Sequence, residues 1–79
     1  MKYLNNVAKM IPDGELDLNL LSLLIEIDLR LQMDPWKGLD GLYYLQIKCK
    51  DNLDVLVKLQ DLTEYFEAEC LNFEFAKVA

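Results

Sequence analysis

Apolar and polar residues alternate on both sides of a loop rich in Pro, Gly and Asp, and residues 25–50 are the stretch around which the chain is organised. Alternation at period two is the signature of a half-buried strand. Ile25–Met33 alternates without a misplaced residue. In 42–50, Tyr43, Leu45, Ile47 and Cys49 face one way and Tyr44, Gln46, Lys48 and Lys50 the other. The pattern predicts a β-hairpin with Trp36 at its tip. Asp34-Pro35 ends the first strand, because Pro donates no hydrogen bond and restrains its predecessor. Gly38, Asp40 and Gly41 complete the loop as turn residues. Lys48 and Lys50 then lie opposite Glu26 and Asp28 as cross-strand ion pairs.

Residues 15–33 also admit a second reading. Eleven of the nineteen are apolar and eight of those are Leu, which favours helix over strand. One strand of this length would run about 60 Å, too long for so small a domain. A helical wheel over 16–33 gathers Glu15, Asn19, Ser22, Glu26 and Arg30 on a polar face, but leaves Asp17, Asp28 and Gln32 among leucines. The preferred reading is therefore a short helix at 17–23, with Asp17 near its N-cap, followed by a strand over 24–33. The alternative is a mostly helical domain in which 16–33 is one long helix.

The flanks are simpler. Tyr3, Val7, Met10 and Ile11 have helical spacing, and Pro12-Asp13-Gly14 breaks that segment as a tight turn. Residues 52–69 predict an amphipathic helix, capped by Asp51 or Asn52 and favoured at its positive end by Asp54. Val55, Leu59, Leu62, Phe66 and Cys70 form its apolar stripe, and Asp54, Lys58, Asp61, Glu64, Tyr65 and Ala68 its opposite face. Alternation in 71–77 predicts a last strand with Leu71, Phe73 and Phe75 inward. The expected fold is α+β. It has a three-stranded, mainly antiparallel sheet over about 24–33, 42–50 and 71–77, with the 52–69 helix on one face.

Length and charge sharpen the picture. Seventy-nine residues make one domain, spanning 1–79, and a chain this short buries only about 60% of its unfolded surface. Its apolar fraction of 53% is high for such a size, which argues for self-association or a partner. The net charge is −6, and residues 51–79 carry −5 of it, with seven acids and two bases. Such a chain is repelled by phosphate backbones and anionic membranes and attracted to basic protein surfaces. No apolar run approaches the ~20 residues that span a bilayer. The first residues lack the apolar core of a signal peptide, so a cytoplasmic location with reduced Cys49 and Cys70 is expected.

Catalytic chemistry is hard to build from these residues. The chain has no His and two Cys, so neither thiol has an imidazole to activate it and no metal-ligand set is complete. With a helix of roughly 27 Å between them, Cys49 and Cys70 are not expected to bond to each other. The acids Asp61, Glu64 and Glu67 lie on an exposed helix face rather than in a cleft where paired carboxylates do acid–base work. No calcium loop, P-loop or dinucleotide fingerprint is present, and no cofactor is expected.

Two features remain. Trp36 sits in the hairpin loop, either as an interface anchor or folded back onto the small core. From Leu59 to Ala76 there are five acids and no base, interrupted by Tyr65, with Val57 one face over. Acid around an aromatic suits a basic partner, and the carboxylates can imitate phosphates; the plain alternative is a solvated helix face. The function expected is a non-enzymatic inhibitor of a basic nucleic-acid-processing protein, such as a nuclease, of the immunity, antitoxin or phage anti-defence type. Asp61, Glu64, Tyr65 and Glu67 make the contact, with Trp36 as second anchor. Size, charge placement and missing chemistry carry this reading, and no family motif does. The competing expectation is a structural homo-oligomer, such as a homodimer, or a complex subunit, assembling through Leu16, Leu18, Leu21 and Leu24. An enzyme would have to work with carboxylates alone.

Overall fold

Leucine decides residues 16–33 in favour of helix. The computed structural model describes residues 1–78, and side chains over 1–72. Among these residues four helices follow one another: α1 (Asn5–Met10), α2 (Leu18–Met33), α3 (Pro35–Lys48) and α4 (Leu53–Val78). Among the described residues there is no strand. The expected sheet over 24–33, 42–50 and 71–77 is overturned, and the mostly helical alternative is what forms. In α2, Leu20, Leu24, Ile27 and Leu31 recur at i, i+4, i+7 and i+11 and are buried together. Asp17 caps the helix, its carboxylate accepting the Leu20 N–H at 2.8 Å.

The stretch expected to be a hairpin loop is the first half of α3. Asp34 closes α2 by donating its N–H to the Arg30 carbonyl at 2.7 Å. The same residue caps α3, accepting the Trp36 N–H at 3.0 Å, and Pro35 occupies the first turn, where its missing N–H costs nothing. A single residue therefore joins two helices. Gly38 and Gly41 are not turn glycines; they lie inside α3 where α2 presses against it. A Cβ on Gly38 would sit 2.6 Å from Leu31 Cγ, and one on Gly41 2.6 Å from Ile27 Cγ1. Because the higher-numbered glycine meets the lower-numbered partner, α2 and α3 run antiparallel.

The same logic fixes α4. Gln46 of α3 donates to Thr63 Oγ1 at 2.7 Å, and the Tyr43 hydroxyl donates to Glu67. The register again runs antiparallel, giving an up–down–up layer α2–α3–α4. Asn52 caps α4, accepting the Val55 N–H at 3.3 Å. At about 1.5 Å per residue this 26-residue helix is roughly 39 Å long and accounts for most of the 48 Å long axis. The expected 52–69 helix lies within it, but the expected last strand is simply its continuation. Leu71 faces solvent rather than a core, and the side chains of Phe73 and Phe75 lie outside the described residues.

α1 closes the groove between α2 and α4, and one buried carboxylate holds it there. Asp28, 1% exposed, accepts the N–H groups of Lys2, Tyr3 and Leu4 at 3.0, 2.8 and 2.7 Å, and the Gln32 amide at 2.6 Å. On the other side, the Tyr3 and Phe66 rings meet edge to face at 4.9 Å. Leu4, Val7, Leu24, Leu42, Leu45, Val55 and Leu59 form the dry centre. Pro12 to Glu15 makes the expected tight turn, with the Glu15 N–H donating to the Pro12 carbonyl at 2.9 Å.

Three local expectations fall with the sheet. Tyr43 and Ile47 point to solvent, not inward. Glu26 pairs with Arg30 one turn on, at 2.7 Å, and Asp28 with backbone, so neither meets Lys48 or Lys50. Trp36 sits on a helix, not at a hairpin tip.

Candidate functional site

The acidic face survives the change of fold, because it was read from a helix that forms. Asp61, Glu64 and Tyr65 project from α4 on the side away from the core, and all are exposed. Glu67 lies one face round, towards α3, where it accepts the Tyr43 hydroxyl. Between Leu59 and Asn72 no base interrupts these acids. Tyr65 is braced by the Phe66 ring, edge to face at 5.1 Å, so its phenol stands on a fixed base.

Trp36 stands on the neighbouring helix, at its N-terminal end. It lies on the first turn of α3 and is 46% exposed, so it does not fold back to cap the core. Tyr43 is seven residues on and shares its face. Tyr44 and Ile47 continue the exposed stripe, with Asp40 between. Through Tyr43 and Glu67, this aromatic stripe adjoins the acidic flank of α4. The antiparallel register sets the end of α3 towards the start of α4, and Trp36 towards the far end of α4. Of the five residues singled out in sequence, Glu67 is tied to α3 through Tyr43, Asp61, Glu64 and Tyr65 are exposed on α4, and Trp36 stands apart on the first turn of α3.

Tyr43, Tyr44 and Ile47 are not among the residues that the sequence pattern singles out. Their spacing from Trp36, at i+7, i+8 and i+11, is a helical signal, which the period-two alternation of 42–50 masks. The Glu67 carboxylate holds the Tyr43 phenol above its usual range, helped by partial desolvation and by the nearby charges of Glu67, Asp40 and Cys70. The hydroxyl stays protonated and acts as a donor throughout the physiological range.

An open cleft of about 770 Å³ lies elsewhere, between the α1–α2 turn and the start of α4. Ile11, Leu20, Cys49 and Val55 line its apolar part, and Glu15, Lys48, Asp51 and Asp54 its rim. Burial pushes the Cys49 thiol up and Glu15 adds to this, against a smaller opposite pull from Lys48. A protonated thiol with no adjacent base is a poor nucleophile. Cys49 and Cys70 form no disulfide. Among the described residues no cluster of three His, Cys, Asp or Glu side chains can hold a metal ion, and no helix is long and apolar enough to cross a membrane. Comparison with protein-family models, with curated proteins and with solved structures finds no match to this chain.

Proposed function

We propose that this chain is a non-enzymatic binding module that covers a basic site on a nucleic-acid-processing protein, in the manner of immunity, antitoxin or phage anti-defence proteins. One observation supports this most. Trp36, Tyr43 and Tyr44 are exposed on α3, and Tyr43 is tied to Glu67 on an α4 flank that carries no base between residues 59 and 72. Carboxylates accelerate encounter with a basic surface and orient it, while aromatic side chains supply the desolvated anchors that hold it. Asp61, Glu64, Tyr65 and Glu67 make the acidic contact, Trp36 anchors one end, and Tyr43 fixes Glu67 in place. The same charge repels nucleic acid and anionic membrane, so the partner is a protein.

The test uses the immobilised chain and the heparin-retained fraction of a cell extract, which is enriched in basic nucleic-acid-binding proteins. A defined protein should be retained at about 0.1 M salt, released near 1 M, where the screening length falls from about 10 Å to about 3 Å, and displaced by added DNA. Asp61→Lys with Glu64→Lys should weaken retention at least tenfold, and Trp36→Ala should weaken it without changing its salt dependence. Retention that ignores salt, or that survives both charge reversals, removes the proposal.

A further inference from the structure

We propose that the outer face of α2 docks a second copy of this chain, antiparallel and two-fold related. Leu18, Ser22, Ile25, Leu29 and Met33 recur at intervals of four, three, four and four residues, the spacing of a helix–helix seam. They lie opposite the buried face of the same helix. Leu18 is 81% exposed, Leu29 54% and Met33 84%. This is where the surplus apolar surface of the chain collects on α2. Of the set expected from sequence only Leu18 belongs to it, since Leu24 is buried and Leu16 and Leu21 are partly covered.

Charge selects the occupant. The chain carries −6, so two copies repel through most of their surfaces, and α4 above all. On α2 the exposed charges are Glu26 and Arg30, which cancel, while Asp28 is buried against backbone. A basic partner gains nothing from this neutral face; a second copy loses nothing. Both charges also lie on one flank of the seam. A two-fold axis perpendicular to a pair of antiparallel helices brings the same flank of each together. Glu26 of one copy then meets Arg30 of the other, twice, as an isologous interface requires. The same register sets Ile25 against Leu29 across the axis. It also lays the long, flexible Met33 over Ser22, the one small residue in the seam.

Sedimentation from roughly 1 to 100 μM, the range over which a moderate dimer dissociates, decides it. The mass should rise towards twice that of the chain. Leu29→Glu should weaken association at least tenfold while helicity by circular dichroism is kept, because Leu29 contributes to no core contact. Glu26→Arg should also weaken it, and Glu26→Arg with Arg30→Glu should restore it. The charge variants decide the question should Leu29→Glu fail to fold. A monomer at about 100 μM, or a dimer that survives Leu29→Glu, overturns the proposal. So does an association indifferent to both charge changes.

Discussion

Asp28 is the residue on which the N-terminal segment depends. Its carboxylate is buried without a cation, a costly arrangement unless every acceptor position is used. Three successive backbone N–H groups and the Gln32 amide use them. Burial pushes the Asp28 carboxyl up, but these hydrogen bonds, from Leu4 and Lys2 first, outweigh it and hold the group below the ordinary 3.8. A carboxyl depressed in the folded state contributes stability that is complete above its unfolded value. That stability is lost as pH falls through the lower folded value. Asp28→Asn, whose amide turns donors towards donors, should therefore destabilise at neutral pH and flatten the acid limb of the stability curve below about pH 4. Asp28→Ala should cost about 2–4 kcal/mol, since buried N–H groups lose their acceptor. Urea melts between pH 7 and pH 2.5 measure both effects. Wild-type and Asp28→Asn curves that stay parallel down to the acid limit would show that the carboxylate charge is not what holds α1.

At the scale of elements, the α2–α3 hairpin turns on Gly38. A Cβ there meets Leu31 Cγ and also, at 3.0 Å, the Leu31 Cα, so the backbones themselves must part. The three atoms nearest a Cβ on Gly41 all belong to the Ile27 side chain. Ala is intrinsically favoured over Gly in a helix by about 1 kcal/mol, so propensity predicts that Gly38→Ala stabilises. Packing predicts the reverse, a net loss of about 1–3 kcal/mol, with Gly41→Ala milder. Thermal melts of the two variants settle the order, and a Gly38→Ala protein more stable than wild type would refute the close approach. This hairpin is also where the sequence misled. Period-two and period-3.6 patterns overlap over short Leu-rich runs, and Ile25–Met33 satisfies both. Asp17, Asp28 and Gln32 weighed against a helix because a wheel knows only the solvent and the core. It has no place for a cap, which Asp17 is, for a buried carboxylate that receives another segment's backbone, which Asp28 is, or for the exposed amide that donates to it, which Gln32 does. Pro35, Gly38 and Gly41 read as a loop for a similar reason. Asp34-Pro35 suits a helix start as well as a strand end, and local propensity cannot register that glycine admits a neighbouring helix. Elements whose signals were local came through: the turn at Pro12, the caps at Asp17 and Asn52, and the stripe of Val55, Leu59 and Phe66.

At the scale of the molecule, the layer α2–α3–α4 separates two surfaces of opposite character. The acidic and aromatic face was half legible: its α4 residues followed from helical spacing, while its α3 residues appeared only once the fold placed Tyr43 against Glu67. The apolar seam of α2 was legible as a surplus but not as a location, because deciding which leucines are spare requires knowing which face α1 and α3 cover. The seam lies on α2 and the acidic residues on α4, and these two helices pack on α3 from its two sides. A two-fold dimer through α2 therefore leaves both acidic faces open at its two ends. Leu29→Glu should thus abolish self-association and leave the per-chain affinity for a basic partner unchanged within about twofold. Glu64→Lys should do the opposite, consistent with additivity for sites far apart without shared contacts. Solution titrations of the partner, paired with sedimentation of the same two variants, read both quantities. Should either substitution move both, the two surfaces are one, and the second copy and the basic partner would have to compete for the same face.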